Sequence, residues 1–165
     1  MSRAADERTT IQGFLDHHRD VLRRKCAGLT REQLATARPP ASMTLGGMLK
    51  HLAYVENWWS TGVFLGEQPG EPWASVDWRA DPDWDWHSAA DDDPEDVLAL
   101  YEAEVAAADR VYAGADLDAP AVRANKRTGN HASLRWILLH LVEEYARHNG
   151  HADLIRESID GQVGD

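Results

Sequence analysis

The chain has 165 residues, of which 28 are acidic and 17 are lysine or arginine, so its formal net charge at pH 7 is -11. A net charge of this sign repels phosphate backbones, and we therefore expect no nucleic-acid partner. No stretch approaches the roughly 18 apolar residues that a membrane span needs, and the single cysteine, Cys26, cannot form an internal disulfide, so we expect a cytoplasmic protein without a membrane partner.

Apolar residues at helical spacing predict four long helices along the chain. Thr44, Asp93 and Ser133 are the expected N-caps of the second, third and fourth helix, and Pro94 occupies the first position of the third. Gly46 and Gly47 either weaken the first turn of the second helix or permit a close approach of another segment. There is no internal repeat and no convincing strand, so the prediction is an all-α four-helix bundle in a single domain over residues 1–165. The predicted helices cover residues 6–29, 44–64, 93–114 and 133–157.

A long connection separates the second and the third predicted helix. Residues 65–93 have no helical period, and prolines and glycines interrupt them, yet four tryptophans make them too aromatic for a disordered linker. A connection of this length can cross the roughly 30 Å of a 20-residue helix, so the helices that it joins can run parallel. The second and fourth helices would then be antiparallel, which places His51 near the level of Glu144 and His148.

The fourth predicted helix carries a polar seam of His140, Glu144, His148 and His151, within an arc of about 80°. Glu144 and His148 are four residues apart and can point at one atom, which is how metal sites in helical bundles are built. A third ligand has to come from another helix, and His51 is the best candidate. The alternative interpretation is that these residues are hydrogen-bonded groups of the core.

The segments LKHLAYVENWW and HLVEEYARHNGHADLIRE together resemble the DinB-like (DinB/YfiT) metalloprotein superfamily, most closely its actinobacterial single-domain branch. The resemblance implies an up-down-down-up bundle with a long crossover and a divalent metal held by one residue of the second helix and two of the fourth. His51 and His148 match those positions. Many relatives have histidine where this chain has Glu144, and the glutamate is similar to the ligand pattern of mycothiol-dependent maleylpyruvate isomerase.

Two imidazoles and a carboxylate hold zinc well and leave a position open, although nickel would also accept them. Because relatives are thiol-dependent transferases, the resemblance implies a transferase or isomerase in which the metal activates a small-molecule thiol, of the mycothiol type, toward an electrophilic substrate. Two alternatives stay open: a hydrolase that uses a metal-activated water, and a non-enzymatic metal-binding bundle that acts through protein contacts. Relatives are often homodimers.

Other residues are expected around the metal ligands. His151 either replaces Glu144 as a ligand or lines the pocket, and Glu56 either orients a ligand or caps a polar patch. The aromatic crossover either roofs the site or only seals the flank of the bundle. His140 is assigned to the core, and the cations at 123, 126 and 127 either meet a carboxylate or form a solvated turn. The residues predicted to line the pocket or to support the ligands are His151, Glu56, Arg147, Trp84, Trp86 and His87.

Overall fold

The computed structural model describes residues 4–164, and that part of the chain is helical without any named strand. The second long helix continues as a π-helical segment, Trp58–Phe64, which we call the π segment. Short 3-10 turns lie at Trp73–Ser75 and Ser88–Ala90. None of the helices in this part of the chain is long and apolar enough to cross a membrane. The α-helices are α1 (Glu7–Cys26), α2 (Arg31–Leu34), α3 (Leu45–Asn57), α4 (Trp84–His87), α5 (Pro94–Ala113) and α6 (Leu134–Asp160).

The four predicted helices correspond to α1, α3 with the π segment, α5 and α6, and local capping explains most of their starts. The Thr44 hydroxyl accepts a hydrogen bond from the backbone amide of Gly47, and the Ser133 hydroxyl accepts one from the amide of Trp136. Asp93 precedes α5, but its side chain makes no capping hydrogen bond and pairs instead with Arg31.

Ion pairs along the helices show which of them run parallel. Glu7 pairs with Arg135 near the start of α1 and of α6, and Lys25 pairs with Asp153 nearer their ends. These two helices are therefore parallel. The same holds for α3 and α5, because Lys50 reaches Asp92 just before α5 begins.

The opposite ends of α3 and α5 also meet, since the rings of Phe64 and Tyr112 lie 6.2 Å apart between centroids. In contrast, α3 and α6 are antiparallel: Trp59, late in α3 and its continuation, packs on Trp136, whereas His51 packs on His148. The up-down-down-up order predicted from the sequence is thereby confirmed.

A buried ion pair joins α1, α3 and α6 inside the apolar core. The Arg19 guanidinium donates to both oxygens of Glu56 at 2.8 and 2.9 Å, and the Tyr145 hydroxyl donates to the same carboxylate at 2.9 Å. Burial raises the pKa of Glu56, although the arginine opposes that shift. Of the two roles predicted for Glu56, the structure supports the polar patch, because these contacts lie in the core.

The crossover between the π segment and α5 packs against α3 rather than running loosely past it. Trp73 is fully buried, and its indole N–H donates to Glu104 of α5 at 2.7 Å. Trp78 stacks on Tyr54 at 4.5 Å between ring centroids. Most of the aromatic crossover thus seals the flank of the bundle, which is one of the two interpretations offered by the sequence. Three short helical elements of the crossover, α4 and the 3-10 turns at Trp73–Ser75 and Ser88–Ala90, were not predicted.

Candidate metal centre

Three potential metal donors converge where α3 faces the C-terminal half of α6. Nε2 of His148 lies 3.2 Å from Oε1 of Glu144, and Nε2 of His51 lies 3.6 Å from that same oxygen. One donor atom of each residue lies within 4.8 Å of the others. A tetrahedral ion with bonds of about 2.1 Å keeps its ligands about 3.4 Å apart. The arrangement and the donor types therefore fit a small divalent cation.

Asp85 of α4 supports His51 from behind. Its Oδ2 lies 2.7 Å from Nδ1 of His51, and the residue is 3% exposed. A carboxylate can only accept a hydrogen bond, so Nδ1 of His51 carries a proton, and Nε2, which faces Glu144, is the nitrogen that can bind a metal once it is deprotonated. Histidine ligands commonly have such a partner on the nitrogen that does not bind the metal. Sequence reasoning missed Asp85, which shows no pattern beyond an acid between two tryptophans.

The surroundings of Glu144 keep its carboxylate ionised, as a metal ligand must be. Hydrogen bonds from His148 and His51, opposed by burial and assisted by Arg147, hold the pKa of Glu144 well below its usual range. Arg147 was predicted to support the ligands, and its Nη2 lies 2.6 Å from each carboxylate oxygen of Glu144. Burial lowers the pKa of His51, but its hydrogen bonds to Asp85 and Glu144 outweigh burial, and the pKa is raised overall.

Trp86 forms one wall of the centre. Its ring stacks on that of His51 with 4.6 Å between centroids and lies 5.6 Å from the ring of His148. A Cβ atom added to Gly47 would lie 2.9 Å from Cε3 of Trp86, so only glycine permits this approach. Of the two roles predicted for Gly47, the structure thus supports the close approach of another segment. Trp86 is also the one tryptophan of the crossover that covers the donors among the contacts described.

The remaining predicted residues divide between the site and other surroundings. The ring of His151 lies 6.2 Å from that of His148, and its buried Nδ1 has no hydrogen-bond partner among the described residues. His140 packs between aromatic rings at 4.8 and 5.0 Å, so it is half-buried rather than part of the core. Trp84 packs against the Lys50 ammonium, and His87 is an exposed partner of Asp81. Neither of these contacts involves one of the three donors, and a place in the pocket stays a prediction for both residues.

Comparisons with known proteins agree with this architecture. No curated protein matches the chain. A crystal structure described as that of a conserved protein of a locus from Enterococcus faecalis covers 96% of this chain and 100% of its own, with a TM-score of 0.68 and 17% identity, which shows a shared fold. Residues 10–161 match the family described as MST: Mycothiol-S-transferase. Because that match covers nearly the whole chain, the protein belongs to the mycothiol S-transferase family, a DinB-like family.

Proposed function

We propose that this chain is a metal-dependent thiol transferase, with mycothiol as its thiol and a small electrophile as the acceptor, and that His51, Glu144 and His148 hold the metal. The observation that carries the proposal is the convergence of two imidazole nitrogens on one carboxylate oxygen, at 3.2 and 3.6 Å. The family match supports the thiol part of the proposal. An isomerase that uses the same thiol chemistry falls within it.

Each residue of the centre has a distinct task in this proposal. A divalent metal, with zinc the favoured candidate and nickel the alternative, would lower the pKa of a thiol at its open position and so supply a thiolate near neutral pH. Asp85 keeps His51 in the tautomer that can bind a metal. Trp86 excludes water from one side and offers a flat apolar surface beside the donors.

Metal content tests the site directly. We expect elemental mass spectrometry of the untagged protein to find close to one divalent metal per chain, and much less in His148→Ala and in Glu144→Ala. His140→Ala is the matched control, since His140 lies on the same face of α6 but packs between tryptophans. Protein that stays free of zinc, nickel, iron and manganese after incubation with each would contradict the proposal.

Activity is tested by mixing the metal-loaded protein with mycothiol and a chromogenic electrophile. Conjugation is expected to require mycothiol, to stop when a chelator removes the metal, and to return when zinc is added back. Conjugation that proceeds equally in Glu144→Ala would refute the assignment. The proposal also includes a cytoplasmic location, where such thiols are kept reduced, and a homodimer, which light scattering would detect.

A further inference from the structure

A cavity separate from the metal donors lies between the π segment and the loop that leads into α6. Its volume is about 730 Å³, which is within the range of small-molecule sites. Three tryptophans contribute to its walls: Trp58 and Trp59 from the π segment and Trp136 from the first turn of α6. Trp58 is 39% exposed and Trp136 is 50% exposed, so large aromatic surfaces are available for contact with a ligand.

The charge of this cavity is opposite to that of the protein. The chain carries 28 acidic residues against 17 lysines and arginines, yet the lining includes Arg123 and Lys126 and not one aspartate or glutamate. Within residues 4–164 neither cation forms an ion pair. The cavity is therefore a local positive surface on an acidic protein, and an anion is its complement.

The cations are held in place by the backbone around them. The amide of Arg123 donates to the carbonyl of Val63 in the π segment at 3.0 Å, and the amide of Asn125 donates to the carbonyl of Asn130 at 2.8 Å, closing the turn that contains Lys126. The Arg123 guanidinium lies over the Trp58 ring, 5.0 Å from its centroid. A stacked guanidinium is well placed to bind a planar anion, because its N–H groups lie in the plane of the fork.

The cavity is close to the metal centre along α6. His140 packs on Trp59 and Trp136 and is four residues from Glu144. Trp136 itself is eight residues from Glu144, or about 12 Å along the helix. The cavity and the metal donors are therefore about two helical turns apart along α6.

We propose that this cavity binds a small organic acid with a flat, aromatic or otherwise apolar body, its carboxylate facing Arg123 and Lys126 and its body lying among the three tryptophans. Binding in the cavity does not require the metal. We assign this acid as the acceptor substrate of the thiol transfer, and that assignment, unlike the binding itself, rests on the proposed function.

The test measures the affinity of the full-length, metal-loaded protein for 2-naphthoate by titration calorimetry, with the uncharged 2-naphthamide for comparison. Naphthoate is expected to bind at least about tenfold more tightly than the amide. The Arg123→Gln and Lys126→Gln variants are each expected to bind naphthoate about tenfold more weakly than the wild type, which is the typical effect of losing a charge-assisted hydrogen bond. Lys126 is exposed, so its variant keeps the Arg123 stack. Arg127→Gln is the matched control, since Arg127 belongs to the same turn and does not line the cavity.

His148→Ala separates this proposal from the proposed function. If naphthoate occupies the cavity, its affinity is unchanged in His148→Ala, even where metal content and thiol transfer are lost. Three results would each overturn the proposal: no naphthoate binding at millimolar concentration, equal binding of the acid and the amide, or binding that is lost in His148→Ala but retained in Arg123→Gln and Lys126→Gln.

Discussion

Replacing Asp85 with asparagine removes the negative charge behind His51 but keeps an oxygen that can accept its Nδ1 proton. Asp85 is 3% exposed and its Oδ2 lies 2.7 Å from that nitrogen, so water cannot screen or replace the bond. A hydrogen bond to a charged group contributes roughly 1.5 to 3 kcal/mol and a neutral one about 1 kcal/mol. The asparagine variant should therefore weaken metal binding by about 1.4 kcal/mol, or about tenfold. Asp85→Ala removes the whole bond and should cost about a hundredfold, the upper end for such partners of metal ligands.

The assay is zinc affinity, measured by competition with a chromogenic chelator on metal-free protein. Asp81→Asn is the matched control, because Asp81 lies 3.0 Å from Nδ1 of the exposed His87, a pair of the same chemistry outside the donor set. Circular dichroism of the metal-free variants checks that each one folds. Wild-type affinity in Asp85→Ala, or an equal loss in Asp81→Asn, would refute the reasoning.

Three further predictions concern the core, the pH dependence and the wall of the centre. Glu56→Gln removes the buried carboxylate that accepts two hydrogen bonds from Arg19 and leaves the guanidinium only its exposed partners Asp16 and Asp109, so the free energy of unfolding should fall by about 1.5 to 3 kcal/mol and the melting temperature by about 5 to 10 °C in a thermal scan. Because the pKa of His51 is raised in the folded chain, protonation of His51 stabilises the metal-free protein below about pH 6.5, and this stabilisation is lost as the pH rises through the raised pKa. Zinc affinity rises over the same pH interval, and competition titrations from about pH 5.5 to 8.5 measure that rise. Gly47→Ala should lower the melting temperature and change the tryptophan emission, because the new Cβ displaces Trp86. Gly150→Ala places no atom within 4 Å of its new Cβ and should raise the free energy of unfolding by about 1 kcal/mol. A destabilised Gly150→Ala or an unaffected Gly47→Ala would contradict this account.

The long helices could be predicted from the sequence because their signals are local. Apolar periodicity fixes which face is buried, and a capping hydroxyl such as that of Ser133 acts within three residues of the helix start. Asp93 shows the limit of that reasoning. Its position before Pro94 predicts a capping side chain, but Arg31, 62 residues away in sequence, takes the carboxylate.

The same distinction applies to the metal centre. His51, Glu144 and His148 lie on long helices, so their register along each axis follows from the period, and antiparallel packing brings them to one level. Asp85 lies on a helix of four residues inside a non-periodic segment, and its direction depends on contacts that the sequence does not order. His140 shares the seam by angle but is one turn away along the axis, which is why it packs with aromatic rings instead.

The buried ion pair explains why the donors meet at one level. Tyr145 follows Glu144 along α6 and points into the core, where its hydroxyl bonds Glu56 at 2.9 Å, and Glu56 lies five residues after His51 on α3. A slip of α6 by one turn would move Tyr145 and Glu144 together by about 5.4 Å, breaking the core bond and the donor set at once. Apolar residues often replace a buried ion pair without loss of stability, so stability alone is a weak reason for its presence. We attribute it to register: Arg19 holds the carboxylate of Glu56 in place, and the hydrogen bond from Tyr145 to that carboxylate sets the height at which α6 presents its ligands to His51.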